Sequence, residues 1–218
     1  MSDIISIADR IVDVIVSPNT ISGLISGATS VPVDLGYLVQ GFFDTDSHSR
    51  YHRETERIRM MSAVKHDLLN YEHLKEAVTI ILREFETHVS VGEKDAFYSR
   101  TVFAVLGRIS TNSLLSSKIT NAILDEASFL ANMRNSLFIG NVMLIGGMME
   151  RSIRTSDRLA ASDPYIYDLL RARDYDLLYF LIEPAMKPFV DALNVRQQGG
   201  QPQFDKIIKR VEERLHGQ

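Results

Sequence analysis

Polar and apolar positions repeat on helical spacing along most of this chain. Ile4, Ala8, Ile11, Val12 and Ile15 fall at i, i+4, i+7, i+8 and i+11, which predicts a first helix over Ser2–Val16, stopped by Pro18. Residues 20–43 carry one charge, Asp34, and are divided by Pro32, so they predict a short helix, a turn and a helix over Pro32–Phe43. The next helix is expected over about 47–69, with a charged and exposed first half and then Ile58, Met61, Val64 and Leu68. Asn70 is placed to cap a helix whose apolar face is Leu74, Ala77, Val78, Ile81, Leu82 and Phe85, with Gly92 ending that unit. Tyr98, Val102, Val105, Leu106 and Ile109 repeat the pattern up to a break at Thr111–Ser113. A further helix is marked by Leu115, Ile119, Ala122, Ile123 and Leu130.

Asn135–Met149, NSLFIGNVMLIGGMM, is the stretch that stands apart. It has no charge and contains Gly140, Gly146 and Gly147. Directly after it come Glu150, Arg151, Arg154, Asp157 and Arg158. Asp163-Pro164 reads as a helix start, and the aromatic region 164–194, interrupted at Pro184 and Pro188, predicts two or three short helices. RQQGGQPQ, residues 196–203, reads as a linker. After it Phe204, Ile207, Ile208, Val211 and Leu215 share one helix face. No stretch alternates with a period of two. The expectation is an all-α, single-domain bundle of about seven to nine helices over 1–195, built around a central apolar helix. Residues 204–218 would dock on that body or on a partner.

Composition narrows function mainly by exclusion. The 218 residues carry a net charge of -4, which offers no general attraction for nucleic acid. There is no cysteine, hence no disulfide, thiolate metal site or Cys nucleophile. Asp3, Asp9 and Asp13 spoil the N-terminal helix as a secretory signal, so synthesis in the cytoplasm is expected, with any export by a route that reads no such signal. No P-loop, G-x-S-x-G, H-E-x-x-H or G-x-G-x-x-G is present.

His48, His52 and Glu56 stand four apart and form a candidate nitrogen–carboxylate metal site, although Arg50, Arg53, Arg57 and Arg59 would oppose a cation there. A solvated charged face is the competing expectation. A carboxylate di-iron bundle needs two Glu-x-x-His motifs, and Glu213–His216 supplies one at a chain end. Glu84 and His88 are spaced as an acid–base pair or as an ordinary helical ion pair. Tyr175, Tyr179 and Phe180, near Arg171 and Arg173, suggest base stacking or, with Asp168, Asp174 and Asp176 beside them, core packing. No metal or cofactor is expected.

The candidate segment for membrane action is Leu137, Phe138, Ile139, Gly140, Val142, Met143, Leu144, Ile145, Gly146, Gly147 and Met148, with Gly23, Gly27, Gly36 and Gly41 marking a second apolar stretch. A spanning helix needs about 20 apolar residues, so 137–149 equally describes a core helix. A cysteine-free, all-helical chain holding LFIGNVMLIGGMM resembles the small membrane-depolarising toxins of bacteria, namely colicin-type pore domains and pore-forming effectors of type VI secretion. The resemblance covers 20–43 and 113–149. It departs from the colicin pattern at Asp125, Glu126 and Arg134. It implies a non-enzymatic, membrane-active protein with a target-cell membrane and a masking or immunity protein as partners. The alternatives are a soluble helical adaptor or immunity-type binding protein, and an enzyme of a class without short motifs.

Overall fold

The computed structural model describes residues 2–17, 47–66, 68, 70–89, 111–124 and 142–216. They form eight α-helices, one 3-10 turn and no strand: α1 (Ser2–Val16), α2 (Ser47–Lys65), α3 (Tyr71–Thr87), α4 (Thr111–Leu124), α5 (Val142–Ser162), α6 (Pro164–Arg171), the 3-10 turn (Tyr175–Leu178), α7 (Tyr179–Gly199) and α8 (Gln201–His216). The all-α expectation is met. The expected helix over Pro32–Phe43, the 98–109 pattern, Gly92, Leu130, residues 137–141 and the glycines at 23, 27, 36 and 41 lie outside the described residues.

The hub of the described bundle is α7, which touches α1, α3, α4, α5, α8 and the 3-10 turn. The helix carrying residues 142–149 sits to one side of it, against α2, α6, α7 and the turn. Two prolines were expected to break 164–194 into short helices. Instead Pro184 and Pro188 lie inside α7. Each removes one backbone donor at a cost of about 3 kcal/mol. Burial offsets that cost: Leu181, Ile182, Ala185, Met186, Phe189, Ala192 and Leu193 are all removed from water.

The apolar faces read from sequence meet here. Leu74, Ala77, Val78, Ile81, Leu82 and Phe85 of α3 are buried against α4 and α7. The Phe85 ring meets Phe189 edge-on at 5.1 Å and Phe204 at 5.3 Å, which joins α3, α7 and α8. Helix α1 lies on α7 and α8 through Ile7, Ala8, Ile11, Val12 and Ile15. Caps follow the sequence cues. Asn70 accepts from the His73 N–H at 2.9 Å, and Asp163 accepts from the Ile166 N–H at 3.0 Å ahead of Pro164.

Two boundaries move. The expected break at Thr111–Ser113 is the first turn of α4. The expected linker 196–203 contracts to Gly200, whose φ of 78° suits glycine and lets α8 fold back onto α1 and α7.

Candidate functional site

Helix α2 puts charge as well as apolar surface into its buried face. Arg53, Glu56, Met60 and Ala63 fall at i, i+3, i+7 and i+10, and all four are buried. Tyr51, Ile58 and Met61 lie on the other side, 74%, 60% and 60% exposed. Arg53 and Glu56 thus face inward beside Met60 and Ala63, while Glu54 and Arg57 stay exposed, so the expected exposed, charged first half holds in part.

The inward charges find partners on three other elements. Glu56 Oε1 accepts from Arg171 Nη2 at 2.9 Å and Oε2 from Arg59 Nε at 2.8 Å. Arg59 Nη1 reaches Asp174 and Asp176, each at 2.8 Å, and Nη2 reaches Asp176 Oδ2 at 2.5 Å. Asp176 is fully buried and also accepts from the Ser156 hydroxyl of α5 at 2.6 Å. One turn along α2, fully buried Glu150 of α5 meets Arg154 at 2.9 Å, Arg57 at 3.1 Å and Arg53 at 4.0 Å. Ser152 donates to the Leu177 carbonyl at 2.6 Å, tying α5 to the 3-10 turn.

Local structure positions these groups. Asp174 caps the start of the 3-10 turn, and its φ of 60° is left-handed, a conformation Asp tolerates better than most residues. That geometry sets Asp174 and Asp176 on the same guanidinium. Burial drives the Glu56 carboxyl upward, but the hydrogen bonds from Arg171 and Arg59 outweigh it and hold the group below its ordinary value. The bond to Glu56 likewise holds Arg171 above its ordinary range. Burial opposes the Arg59 charge, and the bonds to Asp176 and Asp174 more than restore it.

Every oxygen of Glu56 and Asp176 is therefore taken by a guanidinium or hydroxyl. Their hydrogen-bonding capacity is directed to protein donors rather than to a substrate or a metal ion. The cluster works as an ionic clasp between α2 and the body. Among the described residues no group of three or more metal-ligating side chains is assembled. Glu56 of the candidate metal triad faces arginines, while the side chains of His48 and His52 lie outside the described ones.

The remaining sequence candidates are also placed. Tyr175, Tyr179 and Phe180 are 5%, 4% and 2% exposed and pack in the core, so they form no stacking platform. Burial, then the hydrogen bond to Glu76 at 2.7 Å, pushes the Tyr175 phenol up to about 12. Glu84 and His88 pair at 2.7 Å. Glu213 binds Arg210 on the exposed side of α8. Residues 142–148 form the first turns of α5, and their side chains lie outside those described. No helix of the described residues is long and apolar enough to cross a membrane.

Glu150, Arg59, Arg171, Asp176 and Ser156 were not singled out as a site from the sequence. A signal existed: Met60 and Ala63 on one side of α2 and Tyr51, Ile58 and Met61 on the other leave no wholly polar face. Whichever side packs, part of the arginine–glutamate run is buried with it.

No family model, no curated protein and no solved structure matches this chain.

Proposed function

We propose that this protein is a non-enzymatic, membrane-active helical bundle, a depolarising toxin whose apolar segment 137–149 acts when it meets a target bilayer. The observation that carries the reading is the junction inside α5. Uncharged Val142–Met149 runs, within one helix, straight into fully buried Glu150 and the clasp behind it. Charges that bind in water anchor the rear of the helix, while its front suits lipid better than water.

Thirteen residues, 137–149, do not span a bilayer alone, so the segment would act at the interface or with the second apolar stretch, 20–43. A cell making such a protein needs a partner that masks the segment. The test is dye release from anionic vesicles. Purified protein should empty them, and Leu144→Asp with Ile145→Asp should abolish release while helicity is kept. Vesicles that stay sealed at both neutral and acidic pH would overturn the reading.

A second reading has its own observation. The outward Tyr51, Ile58 and Met61 of α2 give a helical adaptor or immunity-type protein a ready contact stripe. Sealed vesicles together with a defined stoichiometric complex, lost on Ile58→Asp, would favour it.

A further inference from the structure

Away from the clasp, α3, α6 and α7 leave an open cleft of about 340 Å³ lined by Glu84, His88, Tyr165, Leu193, Arg196 and Gln197. The residues around it are fixed in ways a solvated surface does not require. The His88 ring is held by Glu84 Oε1 at Nε2, 2.7 Å away, and by the Phe204 ring edge-on at 6.5 Å. Its backbone caps α3, and its carbonyl accepts from Gln201 Nε2 at 2.8 Å. Tyr165 places its hydroxyl 3.5 Å from the other oxygen of Glu84.

One donor edge and one ring nitrogen remain unused. Arg196 is steered by a single bond, Nε to Gln201 Oε1 at 3.0 Å, and its two terminal nitrogens make no hydrogen bond or ion pair among the described residues. His88 Nδ1 has no hydrogen-bond partner among them either. A guanidinium with its terminal edge open matches the two oxygens of a carboxylate. Beside it, Leu193 and the Tyr165 ring supply apolar surface. Glu84 contributes one negative charge against one positive charge on Arg196 and at most one on His88. With Glu84 offsetting Arg196, the cleft has little surplus positive charge with which to favour a doubly charged anion over a singly charged one.

We propose that this cleft binds a small monocarboxylate with a short apolar body. The carboxylate is held by the terminal nitrogens of Arg196. The hydrocarbon rests on Leu193 and Tyr165. This site is independent of the membrane reading.

The full chain is titrated with isobutyrate, acetate and inorganic phosphate at constant ionic strength, following the His88 ring and Arg196 guanidinium signals by NMR. Saturable millimolar binding of isobutyrate is expected, several-fold tighter than acetate and tighter than phosphate. Arg196→Gln should weaken it about tenfold. Arg196→Lys should recover only part, because an ammonium lacks the fork. Arg196 is half-buried at the cleft edge, so both variants should keep the wild-type circular dichroism. The proposal is overturned if isobutyrate gives no saturable shift, if Arg196→Gln binds it as well as wild type does, or if phosphate binds more tightly.

Discussion

The two sides of α7 are held together by different physics. On one side α3 and α8 meet it through Phe85, Phe189, Phe204, Ile81 and Ile207, a seam with no charge in it. On the other, α2, α5, α6 and the 3-10 turn add to apolar contacts such as Met60, Leu170 and Leu177 a set of buried ion pairs from Arg53, Glu56, Arg59, Glu150, Arg171 and Asp176. Apolar burial is non-directional and indifferent to pH. Ion pairs removed from water contribute little net stability, yet they become costly when one member is lost. The comparison implies a body that stays folded and a junction that can be undone chemically.

The largest effect should come from the apolar seam. Phe189→Ala removes a ring packed edge-on against Phe85, at a cost of about 4 kcal/mol and roughly 10 °C in Tm. Amide exchange should accelerate in α3, α7 and α8 together. Asp176→Asn attacks the other side. It leaves Arg59 and Arg171 facing a neutral amide and should cost about 3 kcal/mol, concentrated at the junction. Exchange in α2 should rise steeply while α3 and α8 keep their protection. Equal loss of protection in all helices would show that the two regions form one cooperative unit, and the distinction would fail.

The same contrast decides what was legible in the sequence. Faces such as Leu74–Phe85, the caps Asn70 and Asp163, and the C-terminal stripe Phe204–Val211 are local patterns, and each sits where its spacing puts it. The continuity of α7 through Pro184 and Pro188 was not legible, because proline's local cost is overruled by burial that only the assembled bundle supplies. The clasp was hidden for a related reason. Glu56, Glu150 and Asp176 lie far apart in the chain, and an arginine–glutamate run has the composition of a solvated face whether or not it is buried.

Acid should separate the two regions more gently. Glu56 titrates below its ordinary 4.5 in the folded protein, so its pairing contributes fully above that value. The contribution is lost as pH falls from there through the folded-state value. Asp163, the α6 cap, runs the opposite way. Burial raises it above 3.8, so its share of stability declines as pH rises from 3.8 toward the folded-state value. Amide exchange in α2, corrected for its intrinsic pH dependence, should therefore increase between pH 6 and 3.5. Glu56→Gln should flatten that increase, and an unchanged slope in this variant would assign the acid sensitivity to other carboxylates.

The smallest effect is expected on the outside of α2. Ile58 and Met61 are each 60% exposed, so serine at both positions removes little surface that folding takes from water. The expected change is within about 0.5 kcal/mol, set mainly by helix propensity. This near-silence is informative because ordinary helices respond in the reverse sense: their apolar side is the one whose polar substitution is damaging. If Ile58→Ser with Met61→Ser lowers Tm by several degrees, the apolar side of α2 is covered in solution and contributes to holding the helix. The ionic clasp would then be an accessory to a hydrophobic contact. If Tm holds while Asp176→Asn loosens α2, the helix is retained by charge and its apolar stripe is free to meet something else.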